Sequence, residues 1–328
     1  MRIVINPPVA LHEKGRRPKN EDSIYPKAGT ATANNQVFLV CDGVGGAAKG
    51  EIASLMVADA FGTAFESTIA NGDNLNTVLI SVQDQFDQYL LQNEHSKGMG
   101  TTLTFLQFNE SGVTIAHAGD SRVYHVRKND VLFCTYDHSL INDLKKNGMF
   151  EEAKTAQSNI ITRAIQGSSI KKIELDVHNI TNIEAGDYFL LCSDGVWGVL
   201  TDEELTNILQ EDISDFDKLS KIEGICAESS KDNYTAYLIQ IEAVEDGPAL
   251  PIVKSSDATL IDLPQSTTTK NELNTTISRE EPTQISVEVP PKISLDAPPK
   301  ISIEAPAQIL VENTLMILEL LSLKGISI

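Results

Sequence analysis

Apolar residues fall along this chain in two rhythms. Short runs at residues 37–41, 102–108, 113–117, 122–126 and 188–192, and another at 234–241, are rich in β-branched and aromatic side chains and predict strands. A helical spacing at Leu75, Leu79, Val82, Phe86 and Leu90, and at Ile52, Met56 and Ala60, predicts two amphipathic packing helices. Thr201-Asp202-Glu203-Glu204 fits a capping box, and Leu205, Ile208 and Leu209 behind it supply a buried face. Residues 219–226 predict a last helix. Around residues 109–112 and 119–121 strands follow one another with no helix between. Parallel strands need a long crossover, so this pattern predicts antiparallel sheets with helices outside them.

The rhythm stops near Ala243, and beyond Gly247 the composition shifts to Pro, Ser, Thr, Lys and Glu. There an eight-residue unit, Ile285-Ser286-Val287-Glu288-Val289-Pro290-Pro291-Lys292, recurs from Ile293 and from Ile301. Paired prolines block helix and sheet ladders alike, which predicts an extended, solvated spacer. Residues 309–323 are apolar but are interrupted by Glu312, Asn313 and Glu319. A bilayer span needs ~20 mostly apolar residues, so a short helix is expected there and no membrane association. The expected organisation is a catalytic domain at 1–247, a Pro/Ser/Thr-rich disordered linker at 248–308 and a short apolar segment at 309–328.

Charge and cysteine usage narrow the function classes. A formal charge of −20 repels a phosphate backbone, which removes nucleic acid as a partner. Cys41, Cys134, Cys192 and Cys226 are scattered without a C-x-x-C pair, and read as small buried hydrophobes in a reducing compartment. Residues 1–17 carry no long apolar core and no small-residue cleavage site, so a cytoplasmic protein is expected.

The chemistry lies in a recurrence of aspartates at strand ends. Asp42 follows the run at 37–41, Asp194 closes the run at 188–192, Asp120 sits in the turn after 113–117, and Asp232 precedes the strand at 234–241. One such Asp is usually a turn residue. If four of these ends converge, the carboxylates repel one another in one pocket unless cations neutralise them. With only oxygen ligands on offer, hard ions such as Mg2+ or Mn2+ suit the set better than zinc.

Arg17-x-x-Asn20-Glu21-Asp22, Asp42-Gly43-Val44-Gly45-Gly46, Gly98-Met99-Gly100-Thr101-Thr102, Gly119-Asp120-Ser121-Arg122, Asp137-His138-Ser139, Ser193-Asp194-Gly195-Val196-Trp197 and Lys231-Asp232-Asn233 occur in that order. This ordered set resembles the type-2C (PPM) metal-dependent serine/threonine protein phosphatases, most closely their bacterial branch, from about Arg16 to Ile241. The resemblance implies an α+β fold, a four-layer α-β-β-α sandwich of two antiparallel sheets flanked by helices, with a binuclear metal site at one end. It implies hydrolysis of phosphoserine and phosphothreonine by a hydroxide held between two cations, with two or three Mn2+ or Mg2+ ions in all.

Carried over by position, Asp42 would bridge both ions, Glu21 and the Gly43 carbonyl would complete one site, and Asp194 and Asp232 the other. Asp120 with Asp194 would match a third, weaker position. Asp22 and Asn233 would stand behind the ligands, Asp22 acting through water. Arg17 would bind phosphate through its planar fork. Residues 142–166 correspond to a flap bordering the active site, and their charged composition suits exposure. The implied partners are phosphorylated proteins made by a serine/threonine kinase, acted on by a monomer. One departure is Val44, where many family members outside the bacterial branch carry a histidine thought to protonate the leaving group.

Rival readings fit less well. Gly43-x-Gly45-x-x-Ala48 follows a strand as a dinucleotide fingerprint would, but Asp42 would face the pyrophosphate and the strand-helix alternation is missing. Gly50 stands after Lys49 where a P-loop needs Ser or Thr, and no cysteine is followed six positions later by Arg. A non-catalytic binding module of the same fold is expected to lose ligands, yet Glu21, Asp42, Asp120, Asp194 and Asp232 are all present. His117 reads as a satisfied core residue, His138 as structural at least as much as chemical, and Trp197 as packing behind the Asp194 turn.

Overall fold

The computed structural model describes residues 1–44, 49–157 and 159–247. The repeat segment, the apolar segment after it, and Gly45, Gly46 and Ala48 of the glycine motifs lie outside the described residues.

Numbered in chain order, the first sheet runs β1 (Arg2–Ile5), β12 (Tyr234–Glu245), β11 (Tyr188–Cys192), β8 (Arg122–Arg127), β9 (Asp130–Cys134), with β2 (Val9–Glu13) also on β12. The second runs β10 (Asp176–Ile180), β7 (Gly112–Ala118), β6 (Leu103–Asn109), β4 (Val37–Val44), β3 (Asp22–Tyr25), with the short β5 (Gly100–Thr101) on β4. Their pairings are antiparallel. Helices α1 (Gly50–Phe65) and α2 (Gly72–Gln92) cover the second sheet, and α6 (Asp202–Gln210) and α7 (Asp215–Ser229) cover the first. This is the expected α-β-β-α sandwich.

Side-chain alternation sorts the apolar runs between layers. In β4, Val37, Leu39 and Cys41 face the helices while Phe38 and Val40 lie between the sheets. In β11, Tyr188, Leu190 and Cys192 face helices, and Phe189 and Leu191 the inter-sheet layer. With both faces covered, such strands read as unbroken apolar runs. Phe38 meets the rings of Phe108 and Tyr237 edge-on, with centroids 6.1 and 5.2 Å away.

Capping follows the sequence closely. Thr201 and Glu204 close the capping box of α6, and Asn71 and Asn74 make an equivalent one at α2. In α1 the buried stripe is Ala53, Val57 and Phe61, one position beyond the expected one; Ile52, Met56 and Ala60 are half-buried beside the same core. Small Ala53, Ser54 and Ala58 on this stripe let the helix sit close to the sheet.

Two further departures matter for the site. β4 does not end before Asp42 but continues to Val44, because Gly43 and Val44 pair with Thr101 and Gly100 of β5. Asp42 therefore shares the face of Phe38 and Val40, a carboxylate where the next inter-sheet residue would be. The segment at 142–166 is exposed over much of its length, as expected, and it also carries helices. Its helices α3 (Leu140–Lys146) and α4 (Phe150–Thr155) close on their own core of Leu140, Leu144, Met149 and Ala153. Backbone bonds tie it down, Thr162 N–H to His138 O at 2.9 Å and Ile165 N–H to Thr101 O at 2.8 Å. Between α4 and α6, the single-turn α5 (Asp194–Trp197) follows β11 directly. Among the described residues no helix is long and apolar enough to cross a membrane.

Candidate metal centre

Strand register gathers the aspartates. Cys192 pairs with Ala236 of β12 and with Arg122 of β8, so Asp194, Asp232 and Asp120 leave the first sheet at one end. In the second sheet Asp22 pairs with Asp42, and Leu103 with Ala118. Side chains join the two ends. The Ser193 hydroxyl donates to Asp22 Oδ2 at 2.9 Å and accepts the Thr235 N–H at 3.1 Å, and Thr102 Oγ1 lies 2.7 Å from Ser121 Oγ.

Close approach is paid in backbone freedom at two glycines. A Cβ on Gly195 would lie 1.9 Å from the Asn233 carbonyl oxygen, so only glycine lets the Asp194 turn rest on the strand that follows Asp232. Gly119 has φ +108°, and a Cβ there would meet Thr102 Cγ2 at 2.5 Å.

The electrostatics record the crowding. Desolvation pushes the Asp42 carboxyl well above the ordinary range, and the charges of Asp22, Asp194, Asp120 and Asp232 push it further. Asp120 is raised to about 7, by burial first and then by Asp194. Burial also raises Asp22 and Asp194. One carboxylate oxygen of Asp120 and one of Asp194 are buried with no hydrogen-bond partner among the described residues. Buried anionic oxygens without donors are costly unless a cation faces them, and an all-oxygen set suits a hard divalent ion. The residues present therefore fit the cations that the sequence implies.

Glu21 and Arg17 arrive on the loop between β2 and β3. Asn233, 4% exposed, holds this loop: its Oδ1 accepts the Glu21 N–H at 2.9 Å, and its Nδ2 donates to the carbonyls of Lys14 and Lys19 at 2.7 and 3.0 Å. Glu21 Oε1 lies 3.0 Å from the Lys19 ammonium. The Gly43 N–H donates to the Glu21 carbonyl at 3.1 Å, joining the loop to β4. Asp232 accepts the Asn233 N–H at 2.9 Å and the Arg17 guanidinium at 2.5 Å. That bond, with the charges of Asp232, Asp194 and Asp42, holds Arg17 above its ordinary pKa. Arg17, Glu21, Asp22, Asp42, Gly43, Asp120, Asp194, Asp232 and Asn233 thus belong to one end of the sandwich.

Sequence reasoning missed some of the supports. Trp197 does more than pack: its indole N–H donates to the Asp120 carbonyl at 2.9 Å, and the Arg122 guanidinium lies 3.7 Å over its ring. Arg122 is fixed by two 2.8 Å bonds to Asp137. These residues all stood in the quoted motifs, which was the available signal. His117 is not the satisfied core residue expected. Its Nε2 is buried without a partner among the described residues, and burial lowers its pKa to about 3, which keeps the ring neutral. His117, His138 and Asp176 bring potential ligand atoms within 4.8 Å of one another. However, His138 Nδ1 accepts the Gly119 N–H at 3.0 Å, so its ring proton sits on Nε2, facing Asp176 Oδ2 at 3.0 Å. Such a ring is a hydrogen-bond clamp on Gly119, not a free ligand.

Residues 14–223 match the protein phosphatase 2C family, and the chain belongs to it. It is 33% identical over 236 residues to protein phosphatase PhpP of Streptococcus pneumoniae, a match spanning 69% of this chain and 93% of that protein. Among solved structures it is similar to serine/threonine phosphatase Stp1 from Staphylococcus aureus, with a TM-score of 0.63 at 30% identity, covering 74% of this chain and 98% of that one. It is also similar to the catalytic domain of serine/threonine protein phosphatase PstP in complex with two manganese ions, with a TM-score of 0.61 at 25% identity, covering 73% and 99%. The dinucleotide-binding reading falls with this membership and with the antiparallel sheets.

Proposed function

We propose that this chain is a metal-dependent protein phosphatase that hydrolyses phosphoserine and phosphothreonine using two or three Mn2+ or Mg2+ ions. The observation that carries the reading is the convergence of the aspartates at one end of the sandwich, where one carboxylate oxygen of Asp120 and one of Asp194 are buried without a hydrogen-bond partner among the described residues. Asp42 would serve both ions, Glu21 and the Gly43 carbonyl would hold one, and Asp194 and Asp232 the other. Asp120 with Asp194 would hold a weaker third. Cations held there would neutralise the carboxylates and would supply an activated water for phosphoester hydrolysis.

The chain's own groups orient the reaction. Arg17 exchanges Asp232 for two phosphoryl oxygens, since its planar fork matches either partner. Asn233 keeps Glu21 in place, and Ser193 keeps Asp22 in place. Val44 is apolar and donates no proton, so aryl phosphates, with better leaving groups, are turned over more readily than phosphoserine. The substrates are proteins phosphorylated by a serine/threonine kinase, and the enzyme acts in signalling as a cytoplasmic monomer. With the acidic ligand set complete, a catalytically silent binding module is disfavoured.

The test is turnover of an aryl phosphate and a phosphothreonine peptide, which requires Mn2+ or Mg2+ and is abolished by chelator. Full activity in a chelated sample refutes the reading. Asp42→Asn is expected to lower turnover by orders of magnitude, and two tightly bound ions surviving in that variant would remove Asp42 as the bridge.

A further inference from the structure

Asp120 and Asp194 come from different places in the chain. Asp120 lies in the turn before β8 and Asp194 opens α5, yet each presents a buried carboxylate oxygen without a hydrogen-bond partner among the described residues. Two buried anionic oxygens brought to one site repel each other. Left to repulsion, the two would separate. A side-chain hydrogen bond from the helix that Asp194 opens to the backbone of Asp120 opposes this. Trp197 stands three residues after Asp194 in α5, whose turn is closed by the Gly198 N–H on the Asp194 carbonyl at 2.8 Å. From there its indole N–H reaches the Asp120 carbonyl at 2.9 Å.

The indole is itself immobilised. Arg122 lies over its ring at 3.7 Å, and Asp137 grips Arg122 with two 2.8 Å bonds while Tyr124 Oη accepts a third at 2.8 Å. A flat, rigid side chain with one donor is suited to fixing a distance. We propose that Trp197 is a positioning residue, whose N–H bond to the Asp120 carbonyl sets the separation of the Asp120 and Asp194 carboxylates and thereby the affinity for the cation they share. This rests on the assignment of Asp120 and Asp194 to one shared cation. Trp197 acts through the backbone of Asp120.

The chain has a single tryptophan, so replacing every tryptophan by β-(3-benzothienyl)alanine alters position 197 alone. That analogue keeps the shape and the aromatic face for Arg122 but has no N–H. Trp197→Phe serves as a second variant. A neutral hydrogen bond contributes about 0.5–1.5 kcal/mol, so losing it is expected to weaken the shared cation about two- to twelvefold. Bound Mn2+ is counted by the magnetic-resonance signal of free Mn2+, beside melting curves in chelator and steady-state kinetics on a phosphothreonine peptide.

The expected result is that the two tight ions and the KM for peptide stay as in the wild type, while the weakest ion is lost at higher concentration and kcat falls. Tryptophan emission of the wild type is expected to change as that weakest ion binds. An analogue with unchanged weak-ion affinity and kcat overturns the proposal, as does a uniform weakening of all ions that follows a lowered melting temperature. Wild-type protein that binds no Mn2+ fails the phosphatase reading instead, which separates the two.

Discussion

Replacing Asp120 by asparagine removes a negative charge at nearly constant shape from a side chain only 5% exposed. Burial and then Asp194 raise the Asp120 carboxyl from 3.8 to about 7. At about 1.4 kcal/mol per pH unit, ionised Asp120 costs the ion-free folded state at most about 4 kcal/mol relative to the unfolded chain. The sign follows from the raised value. The folded state keeps this proton up to about pH 7 and the unfolded chain releases it near pH 4, so the associated stability is fully present below about pH 4 and is lost as pH rises through 7. Asparagine has nothing to ionise. In chelator at pH 8, Asp120→Asn is therefore expected to melt above the wild type, by at most roughly 8–16 °C at about 2–4 °C per kcal/mol. This gain shrinks as the pH is lowered towards 4. Added Mn2+ is expected to raise the wild type more than the variant, and the variant to turn over slowly with two ions still bound. Melting curves with chelator and with Mn2+ across this pH range make the measurement. An Asp120→Asn protein that melts below the wild type at every pH refutes the reasoning, and makes Asp120 a residue that merely closes its turn.

Asn233→Ala removes three hydrogen bonds of 2.7–3.0 Å, at about 1 kcal/mol each, and is expected to lose roughly 3 kcal/mol of stability by denaturant titration and to weaken Mn2+ binding through Glu21. Unchanged stability and metal affinity would show that the loop carrying Arg17 needs no such clamp. Arg17→Ala is expected to raise the KM for a phosphopeptide while Mn2+ affinity persists; loss of metal binding with KM unchanged would reduce Arg17 to an ion-pair partner of Asp232. Removing residues 248–328 is expected to leave cooperative unfolding and aryl-phosphate turnover unchanged, because residues 1–247 by themselves supply three large apolar clusters. Non-cooperative melting of the shortened chain moves the domain boundary.

Much of the fold was legible because local chemistry and burial agree. The run at 188–192 is apolar throughout because helices cover one face of β11 and the other sheet covers its opposite face. The Thr201 capping box names the start of α6 unaided, since both of its hydrogen bonds lie within four residues. The helices of the segment at 142–166 were not legible, for a related reason. Its core of Leu140, Leu144, Met149 and Ala153 has four members spread over fourteen residues, too sparse to stand out among charges.

The sequence by itself determined which groups could do chemistry: the ordered motifs bring Arg17, Glu21, Asp42, Asp120, Asp194, Asp232 and Asn233 to the reader's notice. What it could not determine is how these groups are held. That Asp42 lies on a strand face continuous with the inter-sheet core depends on β5 pairing with Gly43 across more than fifty residues of chain. That Asn233 grips Lys14, Lys19 and Glu21, or that Trp197 bonds to Asp120, depends on neighbours 77 to 219 positions apart. Hydrogen bonds and charge repulsion act over a few ångströms of space, and separation along the chain carries no information about such distances until the sheets have packed.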